Sequence, residues 1–153
     1  KATPSDSEWI KSLLRDHWGS PNVVSRGRLY YADQLPGWVA TGGGERIGLI
    51  TYPLHGAECE IVTLNSLKEN RGVGSALIKA VEATARAARC TSMRLTTTND
   101  NLKALRFYQR RGFSLVALHR HALERSRALK PEIPSKGMDD IPIQDELELE
   151  LQL

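Results

Sequence analysis

The chain has 153 residues and a formal net charge of +3, with 41% hydrophobic and 25% charged residues. That is the ordinary globular mix, so extensive disorder is excluded and one domain with its own core, spanning 1–153, is expected. No apolar run approaches the roughly 20 residues of a membrane helix, and Lys1-Ala2-Thr3-Pro4 has no apolar signal core, so the reading is a cytoplasmic protein with no membrane partner.

The charge is uneven. Residues 1–121 hold 17 Lys+Arg against 10 Asp+Glu, and residues 122–153 hold 4 against 8. A basic body attracts anions of any size. Aromatics are only 6% and no dense Lys/Arg run is interleaved with them, which disfavours nucleic acid as a partner. Cys59 and Cys90 are far apart and outside any CxxC pattern, so they read as reduced, buried thiols rather than zinc ligands or a disulfide.

Ser5-Asp6-Ser7-Glu8 has the form of a capping box, and Trp9, Ile10, Leu13, Leu14 and His17 follow at helical spacing until Gly19. This predicts a helix over 6–18. Val23-Val24 suits a short strand, and residues 25–36 fit no single template. Strands are expected at Gly37–Thr41, Ile47–Tyr52 and Glu58–Leu64, joined by turns at Gly42-Gly43-Gly44 and His55-Gly56-Ala57, as an antiparallel meander.

The period then changes. Ser75, Lys79, Glu82, Arg86 and Arg89 recur every three or four residues, opposite Ile78, Val81, Ala85 and Ala88, which predicts a helix from Gly74 to Arg89. Met93–Thr98 reads as a strand, Leu102–Arg111 as a helix ended by Gly112, and Phe113–His119 as a strand. Residues 122–129 suit a short helix. A long loop with Pro131, Pro134, Gly137 and Pro142 leads to Glu146–Leu151, whose strict Glu/Leu alternation predicts a half-exposed strand. Residues 120–153 thus form a C-terminal loop and strand extension.

The turn Glu69-Asn70-Arg71-Gly72-Val73-Gly74 joins a strand to a helix. Free N–H groups at a helix start, together with the dipole, favour a phosphate, and Arg71 adds a cation. A Rossmann fingerprint would need glycine where Leu77 stands, and the Gly-Lys-Ser/Thr of a Walker loop is absent. A plain structural turn and a phosphate cradle both fit this segment taken alone.

The segment after it adds Asn101, Ala104, Tyr108, Gly112 and Phe113. With Gly72 and Gly74, these residues resemble the two motifs of the GCN5-related N-acetyltransferases (GNAT), Gln/Arg-x-x-Gly-x-Gly/Ala and Asn-x-x-Ala-x-x-x-Tyr-x-x-x-Gly-Phe. Glu69 stands where that family has Gln/Arg. The resemblance covers roughly residues 46–119 and implies an α/β (α+β) fold: a central mixed, mainly antiparallel sheet flanked by helices. It also implies an enzyme that moves the acetyl group of acetyl-CoA to a primary amine of a small molecule or peptide, by direct attack in a ternary complex and with no metal. A non-catalytic acyl-CoA sensor or an interaction module on the same fold is the alternative. A homodimer is left open.

The family pattern gives each residue an expected role. The N–H groups of Asn70, Arg71, Gly72, Val73, Gly74 and Ser75 would cradle the pyrophosphate. The backbone of Val62 to Leu64 would pair with the pantetheine arm and polarise the acetyl carbonyl. Tyr108 would lie near the coenzyme sulfur and protonate the departing thiolate. Asn101 would bond the pantetheine arm or cap its helix. For the amine's proton, Glu58 and Glu60 share one strand face, with Val62 and Leu64 continuing it, and Glu60 lies nearer the reaction centre. His119 and His121 lack a third ligand at zinc spacing. Trp18 and the Tyr30-Tyr31 pair belong to the region that lines the acceptor site in relatives. Residues 130–143 are expected either to lie over the acceptor side or to be a solvated surface loop.

Overall fold

The computed structural model describes all residues, 1–153. A 3-10 turn at Pro4–Asp6 leads into helix α1, Ser7–Trp18. The cap differs from the expected box. Thr3 N–H donates to the Asp6 carboxylate at 2.8 Å, two residues earlier than Ser5 and Glu8, and Glu8 instead pairs with Lys11. Gly19 ends the helix in the left-handed region (φ 78°) and donates to Arg15 C=O.

The segment that fitted no template is a hairpin, β1 (Asn22–Ser25) and β2 (Arg28–Tyr31). Its two-residue turn, Arg26-Gly27, has positive φ at both positions, as a type I′ turn requires. Strands β3 (Gly37–Gly42), β4 (Glu45–Thr51) and β7 (Thr63–Ser66) form the antiparallel meander. A short pair, β5 (Leu54–His55) and β6 (Glu58–Ile61), precedes β7. The predicted single strand 58–64 is therefore two strands that break at Val62. β6 pairs in parallel with β8 (Ser92–Thr98), whereas β7 leaves that sheet to pair with β4. Val62 N–H still bonds Thr51 C=O at 2.9 Å.

Helix α2 (Val73–Ala87) follows β7, and helix α3 (Leu102–Gln109) follows β8. Strand β9 (Ser114–His119), helix α4 (Ala122–Leu129) and strand β10 (Glu146–Gln152) complete the chain. The larger sheet is five-stranded in the order β5-β6-β8-β10-β9, so β10 inserts between β8 and β9. The last strand is therefore central rather than half exposed. Its leucine face joins the core, where Leu149 is sealed, and its glutamate face is also covered: Glu146 and Glu148 are each 5% exposed. The alternation marks two buried faces, one apolar and one ionic.

Two apolar cores follow. Leu77, Ile78, Val81 and Ala85 of α2 pack on Ile61, Met93, Leu95 and Leu149. Ile10, Leu13 and Leu14 of α1 pack on Val23, Tyr30, Leu49 and Val62. Each sealed Leu or Ile contributes about 1.5–3 kcal/mol relative to exposure. Neighbouring Leu49 and Ile50 of β4 serve opposite cores, so the smaller sheet is buried on both faces. No helix is long and apolar enough to cross a membrane.

Candidate active site

The break at Val62 creates the site. Up to the pair Ile61–Leu95, β6 and β8 share a ladder; beyond it β7 follows β4 and β8 follows β10. The two strands splay, and a cavity opens on each side of the gap. The break also adds a residue to the strand. Ile61 and Leu64 both pack in the α2 core, while Val62 packs in the α1 core. Val62 thus continues the face of Glu58 and Glu60, but Leu64 leaves it, because the irregularity reverses the alternation between Val62 and Leu64. Leu64 lines the first cavity and Val62 the second.

The first cavity, about 460 Å³, lies between β7, the 68–75 turn and α3. Asn70 and Gly72 both have positive φ (58° and 73°), which turns the chain sharply into α2. The first intrahelical bond runs from Ala76 N–H to Gly72 C=O, so the N–H groups of Val73, Gly74 and Ser75 have no acceptor within the helix. These three residues line this cavity, as do Lys68 and Lys103. Arg71, expected as the local cation, is exposed and takes no part in the wall. Arg111 takes that place. Its guanidinium stacks 3.5 Å above the centroid of Phe107 and donates to Ser75 Oγ from Nε (3.0 Å) and Nη2 (2.7 Å). The sequence shows Arg111 only as a cation near the end of α3. Its reach to α2 depends on Gly74 letting Phe107 approach. Lys79, Arg106 and Arg110 continue the basic wall into an adjoining groove.

Tyr108 is buried at the inner end of the first cavity, edge-on to Phe107 and Phe113. Its hydroxyl has no protein partner, and no buried polar side-chain atom is left unsatisfied, so that hydroxyl is open to the cavity. Burial raises its phenol above the ordinary value, which keeps it protonated as a donor. Asn101 caps α3: its Oδ1 accepts from Ala104 N–H at 3.1 Å. It also borders the second cavity.

The second cavity, about 540 Å³, lies across the gap. Its apolar lining comes from Trp18, Val24, Leu123, Ile133 and Ile143, and its polar lining from Thr96, Thr98 and Glu146. Of residues 130–143, Lys130, Glu132, Ile133, Pro134 and Ile143 line this cleft, whereas residues 135–142 lie outside its lining and are mostly exposed. Lys130 fastens the segment there, with Nζ donating to Trp18 C=O and Asn22 C=O at 2.7 Å each. Trp18 is oriented by its Nε1–H bond to Asn65 at 3.1 Å.

The carboxylates sort by environment. Glu58 is ion-paired with Arg26 (2.6 Å) and Arg94 (3.1 Å). Glu148 meets Arg94 (3.0 Å) and His119 (2.9 Å); burial opposes its ionisation, and these partners together with Arg26 overcome it and hold its carboxyl below the usual range. Glu150 also pairs with Arg94. Glu60 is only 2% exposed and accepts from Ser25 Oγ (2.6 Å) and Tyr30 Oη (2.8 Å). Glu146 has no cation at ion-pair distance. It accepts one bond from Ser126 Oγ at 3.2 Å, and burial raises its carboxyl above the ordinary value. The sequence pattern hid Glu146, because a glutamate in an alternating strand reads as solvated. His121 caps α4 from the left-handed region with its backbone bonded to Asp145, and its ring stays exposed. No group of three or more His, Cys, Asp or Glu side chains could hold a metal ion.

Comparison with known proteins fits this architecture. The profile of the Acetyltransferase (GNAT) family matches residues 7–113. Two uncharacterized Bacillus subtilis proteins are close in sequence: YdhI is 42% identical over 147 residues, covering 93% of this chain and 92% of its own, and YxbD is 41% identical over 145 residues, covering 94% and 91%. Among solved structures, a Bacillus subtilis acetyltransferase in complex with CoA superposes with a TM-score of 0.71 at 18% identity, over 100% of this chain and 95% of that one. A GNAT acetyltransferase from Elizabethkingia anophelis with acetyl-CoA bound gives 0.69 at 18%, over 100% and 92%. At such identities the structures speak for the fold, while the profile and the sequence relatives carry the assignment: the chain belongs to the acetyltransferase (GNAT) family.

Proposed function

We propose that this chain transfers the acetyl group of acetyl-CoA to a primary amine of a small molecule or peptide, by direct attack within a ternary complex. The observation that carries this reading is the pair of cavities that flank the irregular strand, one lined by its Leu64 and the other by its Val62. One is walled by free helix N–H groups and cations, and the other by apolar side chains and a buried carboxylate.

The donor set of the first cavity suits CoA. The free N–H groups of Val73, Gly74 and Ser75, with Asn70 and Gly72 beside them in the wall, would hold a pyrophosphate, and Lys68, Lys103 and Arg111 supply positive charge. The pantetheine arm would follow β7 into the gap, where backbone N–H groups that join no ladder with β8 can polarise the acetyl carbonyl; one such oxyanion donor is worth on the order of 10²–10³ in rate. Tyr108 donates its proton to the leaving thiolate. Glu60 is the base for the amine, and Glu58, occupied by two guanidinium groups, is not. Glu146 offers the acceptor a negative partner in the second cavity. We place the reaction in the cytoplasm, where Cys59 and Cys90 stay reduced.

Calorimetry with acetyl-CoA, followed by thiol release against a panel of primary amines, tests this reading. Binding with amine-dependent thiol release supports it. Binding with no turnover on any amine would make the protein a sensor, and no binding would remove the coenzyme site.

A further inference from the structure

Glu60 does not reach the cleft in which the amine would stand. Its carboxylate is 2% exposed and absent from the lining of the second cavity. Two hydroxyls bridge the difference. Ser25 Oγ, on β1, donates to Glu60 Oε1 at 2.6 Å and lies 2.7 Å from Thr96 Oγ1, on β8. Ser25 and Thr96 both line the cleft. Because Ser25 spends its only proton on Glu60, it must accept from Thr96, which leaves the Thr96 oxygen free to accept from the cleft. The direction of donation is thereby fixed along the line.

The line continues on the far side of the carboxylate. Tyr30 Oη donates to Glu60 Oε2 at 2.8 Å and lies 3.1 Å from His55 Nε2. His55 is about one-third exposed, on a separate cavity of about 290 Å³ that Glu60 also borders. The other charged groups facing Glu60 there are Arg26 and Arg28 from the hairpin and Glu58 from its own strand, with Arg94 its register partner on β8. Five side chains from β1, β2, β5, β6 and β8 thus connect the acceptor cleft with the neighbouring cavity on which His55 is exposed.

We propose that Thr96 and Ser25 carry the acceptor's proton to Glu60 and that Tyr30 and His55 pass it on to solvent. This rests on the reading of Glu60 as the base. As the C–N bond forms and the C–S bond breaks, the nitrogen's proton moves to Thr96, the Thr96 proton to Ser25, and the Ser25 proton to Glu60. The thiolate takes the Tyr108 proton. Glu60 then discharges through Tyr30 and His55 once the Tyr30 hydroxyl turns from Glu60 to donate to an unprotonated His55 Nε2, and Tyr108 recovers a proton from water once the thiol has left. The net change is one proton from amine to thiol.

The test follows thiol release from acetyl-CoA against pH, with the most active amine of the panel or with water alone as acceptor. Glu60→Gln is expected to abolish the acid-side fall in kcat and to slow the reaction on the order of 10²-fold. Thr96→Val, which keeps the shape and removes the hydroxyl, is expected to do the same with the KM for acetyl-CoA unchanged, and Thr96→Ser to recover most of the rate together with the acid-side fall. His55→Ala is expected to make turnover depend on buffer concentration, with rescue by imidazole. If Glu60→Gln keeps the wild-type pH profile, Glu60 is not the base and the underlying reading fails. If Glu60→Gln loses the acid limb while Thr96→Val retains wild-type rate and profile, Glu60 acts without these hydroxyls and the relay is wrong. Thermal denaturation and acetyl-CoA calorimetry on each variant separate loss of folding from both outcomes.

Discussion

A Cβ built on Gly74 would stand 2.8 Å from Cζ of Phe107. The glycine therefore brings α2 against the ring of α3, and that contact carries Arg111 to Ser75 at the mouth of the proposed coenzyme cavity. The missing side chain of Gly74 thus leaves room for the Phe107 ring. Gly72 differs: it has φ 73°, and a Cβ there would meet nothing within 4 Å.

Gly74→Ala is expected to destabilise the protein by about 1–3 kcal/mol, despite the roughly 1 kcal/mol that alanine gains in a helix. The ring cannot swing away, since it is held between Arg111 and Tyr108. Urea denaturation checks this, and Gly74→Ala combined with Phe107→Leu should recover part of the loss. Gly72→Ala should cost about 1–2 kcal/mol through backbone strain alone, with no recovery in the double variant.

Tyr108→Phe removes a hydroxyl that bonds nothing in the protein, so stability should stay within about 0.5 kcal/mol. Turnover should fall on the order of 10–10³-fold at unchanged acetyl-CoA affinity. Burial places the phenol above its ordinary value. The wild-type rate should therefore show no Tyr108-dependent decline below about pH 10. Wild-type turnover in the Phe variant, under conditions where chemistry limits the rate, would reduce Tyr108 to packing.

Elements whose signal is local were legible in the sequence. Helix α2 is read from a sustained polar stripe, and α4 from a short run between a turn and Pro131. Asn101, Tyr108 and the Gly-x-Gly turn could be found because the chemistry there is carried by consecutive residues of one segment. What escaped depends on partners distant in sequence. The Arg26-Gly27 hairpin turn has arginine where glycine or asparagine is usual. The break at Val62 is imposed by two sheets competing for one strand, Thr51 on one side and Leu95 on the other. The glutamates of β10 look solvated until Arg94, Arg26 and His119 are brought over them.

Lys130 is the single side chain that ties the 130–143 segment to both α1 and β1. Lys130→Met keeps the stem length and removes the donors. The carbonyls of Trp18 and Asn22 then lose a charged partner, at a cost of about 1.5–3 kcal/mol. If that segment shapes the acceptor cleft, the KM for the amine should rise several-fold while the KM for acetyl-CoA stays constant. Equal changes in both constants would show a general loosening of the domain instead.

Glu146 sets stability against function. Its carboxyl is raised above the ordinary value because burial disfavours the charge, and neither Arg125 nor His119 comes close enough to pair with it. Below the ordinary carboxylate pKa it is protonated in the folded and unfolded chain alike, so it costs nothing. As pH rises past that point the unfolded chain ionises first, and stability falls until the folded pKa is passed; the penalty then stays constant. Glu146→Gln removes the charge and keeps an oxygen for the Ser126 hydroxyl. The variant should melt at a higher temperature than wild type at pH 7, with the difference vanishing at about pH 3. The same change removes the negative partner proposed for the acceptor, so its KM for amine should rise about tenfold or more, at unchanged acetyl-CoA affinity. Melting curves at the two pH values and amine kinetics at pH 7 make both checks; a variant that is no more stable at pH 7, with the wild-type KM, would show that Glu146 ionises in the folded protein as readily as in the unfolded chain and is idle in the cleft.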